Sequence, residues 1–197
     1  MKSEYWFPTP IWFGMYENIC ETQYNNAIKY CKELAAINPG RTFSNAGGWQ
    51  SNDLYYNNNI TNTPLQIFFD EITPRVKEVL LELGIKYDYY INNFWININY
   101  KDCKNYTHDH PGSSLSGVFY LTKNNSEIIF KRNRDISSCH LSNLDSNHDT
   151  FLSYNTVSYT PQQGQYMIFP SWLLHGVKIN NNDSERISIS FNVSNNI

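Results

Sequence analysis

The sequence predicts a mainly β protein of the α+β class, a sandwich or barrel of short strands supported by N-terminal helices. Three observations lead there. Apolar residues recur at three- and four-residue steps over 21–36 and again over 64–83. From residue 90 the period falls to two, and a series of short apolar runs follows, separated by Asn, Gly and Pro. Helices first and strands afterwards point to one helix-backed β core. No repeat or linker interrupts the chain, so its 197 residues are expected to form a single domain, with helical support over about 15–85 and a β core over about 89–195.

The opening Trp6-Phe7-Pro8-Thr9-Pro10-Ile11-Trp12-Phe13 is aromatic and broken by proline, as suits an edge strand or an extended arm. Tyr24, Ala27, Ile28, Cys31, Leu34 and Ala35 form the apolar face of a helix over Glu21–Ala36, ended by Asn38-Pro39-Gly40. Gly47-Gly48-Trp49-Gln50-Ser51 falls in a long polar loop, where the glycine pair would let Trp49 act as a lid. A second helix is expected from Pro64 to Leu83, kinked or split at Pro74 and closed by Gly84. In residues 90–100, Phe94, Ile96, Ile98 and Tyr100 take one face of a strand, and Trp95, Asn97 and Asn99 the other. Further strands are expected at 115–121, 127–130, 156–160, 165–169, 176–179 and 187–193, with a long excursion over 131–155.

Composition excludes several classes. With 16% aromatic and only 17% charged residues, the chain is no disordered segment. A net charge of −3 argues against a protein that grips nucleic acid by neutralising phosphates, and Lys131-Arg132-Asn133-Arg134 reads as a solvated loop. No run approaches the ~18 apolar residues of a membrane span. Met1-Lys2-Ser3-Glu4-Tyr5-Trp6 lacks the apolar stretch of a signal peptide, so a cytoplasmic protein is expected, monomeric or homodimeric. Cys20, Cys31, Cys103 and Cys139 show no metal or disulfide spacing and read as reduced thiols. The Asn clusters 57–59 and 180–182 favour turns and are equally explained by AT-rich codon usage.

The chemistry is carried by three of the five histidines. In an extended chain His108 and His110 point to the same side and can converge on one ion, while Asp109 points away. His175, from a distant strand, would complete a triangular face and leave positions open for substrate or oxygen, as suits a non-haem iron site. Asp109 could replace His110 only if the segment left extended geometry, which Pro111-Gly112 makes conceivable. Arg186 and Ser188 share one face of the last strand. If 176–179 and 187–193 are antiparallel neighbours across the Asn-rich turn, Arg186 lies at the mouth of the same barrel. A fixed guanidinium beside a hydroxyl suits a carboxylate; the plainer reading pairs Arg186 with Asp183 or Glu185. His140 and His148 read as solvated loop residues, and Trp95, Trp172 and Tyr166 as core aromatics that could also line a pocket.

Taken together, Phe7-Pro8-Thr9-Pro10, Gly47-Gly48-Trp49-Gln50-Ser51, His108-Asp109-His110-Pro111, the strand 115–121, Phe169-Pro170-Ser171-Trp172, His175-Gly176-Val177 and Arg186-Ile187-Ser188-Ile189-Ser190-Phe191-Asn192 resemble the Fe(II)- and 2-oxoglutarate-dependent oxygenases. The resemblance is to a small branch from bacteria and tailed bacteriophages. It implies a double-stranded β-helix (jelly roll) with iron held inside one end, and oxidative decarboxylation of 2-oxoglutarate coupled to hydroxylation of a small-molecule or peptide substrate. By position, His108 and His175 match the family's histidine ligands. Arg186 and Ser188 match its pair for the distal carboxylate of 2-oxoglutarate, and Tyr120 matches a strand tyrosine that bonds the same group. His110 stands where most relatives carry Asp or Glu, which leaves the metal centre one charge more positive. That departure keeps two other readings open: a cupin-like three-histidine dioxygenase that does without 2-oxoglutarate, and a metal-binding jelly-roll module without turnover.

Overall fold

The computed structural model describes residues 2, 8–55, 60–85, 88–132 and 154–195. Trp6, Phe7, Asn57–Asn59, Asn133, Arg134, Cys139, His140 and His148, together with most of the expected excursion, lie outside them. The elements run β1 (Trp12–Met15), α1 (Glu21–Ile37), β2 (Asn45–Ala46), β3 (Trp49–Gln50), α2 (Gln66–Glu82), β4 (Tyr89–Asn99), β5 (Lys104–His108), β6 (Leu115–Tyr120), β7 (Ile128–Lys131), β8 (Thr156–Tyr159), β9 (Gln165–Pro170), β10 (His175–Val177) and β11 (Arg186–Asn195). They form two antiparallel sheets, one of six strands in the order β1-β9-β6-β11-β4-β3 and one of five in the order β2-β5-β10-β7-β8.

Period-two alternation assigns the layers. On β4, β6 and β11, the side chains Phe94, Ile96, Ile98, Leu115, Phe119, Ile187, Ile189 and Phe191 pack with Tyr24, Ala27 and Cys31 of α1 and Phe68, Ile72, Val76 and Val79 of α2. Tyr24, Phe68 and Phe119 stack within this helix-side core, with Phe68 and Phe119 centroids 4.9 Å apart. Apolar area removed from water here supplies the main cohesion of helices and sheet. The alternate residues face the five-stranded sheet. At one end they build a second apolar cluster of Val118, Tyr120, Ile128, Phe130, Met167, Phe169 and Leu173. At the other end they are polar, and there the sheets enclose a cavity of about 510 Å³.

The helices begin and end for local reasons. The Gln23 amide oxygen accepts from the Cys20 N–H at the start of α1, 2.8 Å away. Past the end of α2, Gly84 (φ +70°) closes a Schellman motif: Ile85 N–H donates to Leu80 O and Gly84 N–H to Leu81 O. Of the two outcomes expected at Pro74, the split does not occur: α2 runs unbroken through it. Ile72 and Val76 bury on either side of the proline, and the Thr73 hydroxyl bonds the Phe69 carbonyl. Packing of the apolar face therefore outweighs the one lost backbone bond.

Three expectations about the connections need correction. The Gly47-Gly48 segment is no loose loop: both residues have positive φ and carry the chain from β2 in one sheet to β3 in the other. Trp49 is no lid, since it is buried, pairs with Ile98 and donates its indole N–H to Asn38 O. Finally, β10 and β11 are not neighbours. β10 pairs with β5 and β7, whereas β11 pairs with β4 and β6, so 178–185 is a crossing between sheets. Asn180 anchors that crossing, fully buried, its Nδ2 donating to Asn99 O and Ser184 O at 2.9 Å each. Tyr100 lies beyond β4 and is exposed rather than in register with Ile98.

Candidate functional site

β5 went unrecognised in the sequence, yet it places the first histidine. Residues 104–108 carry Lys, Asn, Tyr, Thr and His with hardly an apolar residue to mark a period. β10 lies antiparallel beside it, in a register that sets His175 directly opposite His108. His110 follows two residues on, beyond the strand, held by its N–H to Ser171 O. The three rings converge: each offers one nitrogen, and these atoms lie within 4.8 Å of one another. Asp109 is exposed and stands outside the group, as the extended geometry requires.

Hydrogen bonds select the tautomers. His108 Nδ1 donates to Tyr106 O at 2.7 Å and His175 Nδ1 to Leu173 O at 2.9 Å. A carbonyl can only accept, so each Nε2 keeps its lone pair. His110 Nε2 lies 3.3 Å from His175 Nε2. Burial first, and then the neighbouring His108, push His175 down to about 3 and His110 to about 4; burial also lowers His108. Three neutral imidazoles with converging lone pairs are the donor set of a borderline transition-metal ion. Phe169 and Phe130 pack against His175, and Trp95 stands 5.6 Å from the His110 ring. Trp95 thus lines the cavity, whereas Trp172 is half exposed and Tyr166 stacks on Tyr16 in the helix-side core.

Arg186 reaches the same cavity from the opposite sheet. Its residue is 2% exposed, and among the described residues no carboxylate pairs with it. Asp183 bonds Lys101 and Glu185 bonds Lys32, which disposes of the surface ion-pair reading. Register supplies its neighbours: Arg186 lies opposite Asn99, and Ser188 lies between Asn97 and Tyr120. Nη1 donates to Asn99 Oδ1 and Ser188 Oγ at 3.2 Å each, and the guanidinium carbon stands 5.0 Å over the Tyr120 ring. Asn99 in turn donates to Asn105 of the other sheet, tying the two sheets together behind the cation. Burial lowers the Arg186 pKa and raises that of Tyr120. Arg186 Nε and the Tyr120 hydroxyl are both buried; the two side chains act on each other, and neither atom makes a well-aligned hydrogen bond. A buried cation with unpartnered donors is costly unless an anion completes it, and a carboxylate supplies the matching acceptors. The residues present therefore fit both a divalent metal and a diacid.

Sequence reasoning missed Asn99, Asn105, Gln50 and Arg41, which also line or back the cavity. Polar residues in a region dominated by Asn carry little pattern; only the alternation of Asn97 and Asn99 with Ile96 and Ile98 marked an inward polar face.

Two facing antiparallel sheets with a trio of histidines inside one end define a jelly-roll protein built around a candidate metal centre. The family described as "Putative 2OG-Fe(II) oxygenase" matches residues 93–192, and the chain belongs to it. No curated protein matches the sequence. Among solved structures, the non-heme alpha ketoglutarate dependent epimerase SnoN from nogalamycin biosynthesis superposes with a TM-score of 0.67 at 10% identity, over 95% of this chain and 79% of that one. HygX from Streptomyces hygroscopicus, with nickel and 2-oxoglutarate bound, gives 0.65 at 10% identity, over 96% and 84%. A Pseudomonas putida prolyl-4-hydroxylase gives 0.62 at 12% identity, over 96% and 94%. At such identities the likeness establishes the fold.

Proposed function

We propose that the protein is an Fe(II)- and 2-oxoglutarate-dependent dioxygenase that hydroxylates a small molecule or peptide held in the cavity. His108, His110 and His175 would hold the metal. Arg186 would grip the distal carboxylate of 2-oxoglutarate, with Ser188 and Tyr120 beside it. The observation that carries the reading is the buried Arg186 guanidinium, free of any carboxylate among the described residues, in the cavity that the three imidazoles line. When bound, iron and cosubstrate supply the oxidising chemistry. The protein's own part is to orient and to exclude. Tyr106 and Leu173 carbonyls hold two rings with Nε2 inward. Phe130, Phe169 and Val118 keep the deep side of the site apolar.

The solved relatives are named for different reactions, epimerisation and prolyl hydroxylation among them. Hydroxylation is adopted as the outcome that needs the fewest further groups. A specific observation favours a second reading: His110 offers a neutral nitrogen where a carboxylate would offer a charge. A three-histidine dioxygenase without 2-oxoglutarate, or a metal-binding module without turnover, would use that set and have no need of Arg186. One experiment separates them. Anaerobic Fe(II) protein should develop a visible charge-transfer band on addition of 2-oxoglutarate, and His175→Ala should lack it. Arg186→Gln should keep its metal and need roughly 10- to 150-fold more 2-oxoglutarate, the range expected for losing a charge-assisted hydrogen bond. Wild-type protein that holds iron but shows no band, or Arg186→Gln that titrates like wild type, would defeat the proposal.

A further inference from the structure

A second arginine opens onto the same cavity. Arg41, in the segment between α1 and β2, lines it, and its backbone N–H donates to Gln50 O at 2.8 Å. Its guanidinium carbon stands 4.9 Å from the Phe43 ring centre and 5.8 Å from that of Trp95. Arg75, by comparison, is paired with Glu78. Among the described residues Arg41 has no carboxylate partner, and its buried Nε has no hydrogen-bond partner at all. The nearby Asp53 accepts from Tyr55 N, Phe94 N and Asn93 Nδ2 and makes no ion pair with Arg41, although its charge partly offsets the lowering of the Arg41 pKa by burial.

That geometry restricts what Arg41 can bind. The two rings hold the cation at the cavity wall by cation–π attraction, which leaves its N–H donors to be matched by an acceptor. A guanidinium receives an oxyanion through two parallel N–H bonds. Gln50 adds a buried amide oxygen, also without a partner, on the same cavity wall. Trp95 connects this corner to the histidines, its ring lying 5.8 Å from the Arg41 guanidinium carbon and 5.6 Å from the His110 ring. Phe43 is 72% exposed at the mouth and offers an apolar surface to whatever enters. A cavity of about 510 Å³ is of small-molecule size, within the usual range of roughly 300–1,000 Å³.

We propose that the oxidised substrate is a small acid: a molecule whose carboxylate or phosphate sits on Arg41, whose N–H or O–H meets Gln50, and whose reacting carbon lies in the same cavity beside the metal group. This assigns Arg41 to substrate and Arg186 to cosubstrate; that the acid is oxidised and that Arg186 holds the cosubstrate rest on the preceding proposal, whereas binding of an acid at Arg41 does not. The test uses benzoate and phenyl phosphate as probes, with benzamide as the neutral isostere. Binding to protein loaded with Mn(II) and saturated with 2-oxoglutarate is followed by calorimetry and tryptophan fluorescence. At least one anion should bind wild type at least about tenfold more tightly than benzamide. Arg41→Gln should lose that preference and keep 2-oxoglutarate affinity, with Arg41→Lys in between. Arg186→Gln should show the reverse. Which anion binds better identifies the acid as carboxylate or phosphate. The proposal is overturned if wild type binds neither anion at millimolar concentration, if benzamide binds equally well, or if Arg41→Gln keeps the preference. The wild-type comparison needs no variant to fold. An Arg186→Gln that still binds 2-oxoglutarate normally would count against the cosubstrate assignment alone.

Discussion

His175 shows how one residue is given its task by three constraints at once. Register sets it opposite His108, the Leu173 carbonyl fixes its Nδ1 proton, and Phe130 and Phe169 strip it of water. The sign of its pH dependence follows. Its folded value of about 3, and that of His110 at about 4, lie below the ordinary 6.5, so the unfolded chain takes up protons first. Their contribution to stability is whole above about 6.5 and is lost as pH falls toward 4 and then 3. Urea midpoints of metal-free protein should therefore fall more steeply below pH 6.5 in wild type than in His175→Phe, which lacks the group. Parallel curves would show that these rings titrate as if solvated.

At the scale of elements, the turn from β2 to β3, which joins the two sheets, is exacting. Gly48 has φ +63°, and a Cβ there would lie 2.7 Å from the Ile98 carbonyl oxygen, a backbone atom that β4 holds in place. A Gly48→Ala substitution combines left-handed strain of about 1–2 kcal/mol with that clash, so a loss of about 2 kcal/mol or more is expected. The measurement is a urea midpoint that drops with an unchanged slope. An unaffected midpoint would mean that the turn relaxes freely. The helices were legible because their faces repeat over many residues. β2, β3 and β5 were not, since two residues, or five with no apolar alternation, carry no period to read. Pro74 was legible as a helix breaker, yet it does not split α2, because burial on both sides of it acts through contacts far away in the chain.

For the whole molecule, metal and diacid would bridge the two sheets, since the imidazoles come from β5 and β10 with the turn after β5, and the guanidinium from β11. Ligands that bind only the folded state stabilise it by about 2.7 kcal/mol at a hundredfold excess over Kd. In a domain of this size that raises Tm by roughly 5–10 °C. Mn(II) with 2-oxoglutarate should give such a shift in wild type, and Mn(II) alone should survive the loss of Arg186 but not of His175. Differential scanning of the three proteins decides the matter, and equal shifts in all of them would place binding elsewhere. No helix among the described residues is long and apolar enough to cross a membrane.

The amino-acid order alone determined which side chains could act together within a strand. His108 with His110, and Arg186 with Ser188, share a face because pleated backbone has period two. It determined as much for the helix faces, and the spread of short motifs was enough to mark the family. Which strands meet was decided only by the tertiary structure. His108 and His175 are opposed, and Arg186 faces them from the other sheet, through pairings between residues far apart in the chain. Such pairings depend on how two layers of side chains bury each other, and no local pattern encodes that. The same cause hid Arg41: a lone cation in a polar loop acquires meaning only once Trp95, Phe43 and Gln50 are brought around it.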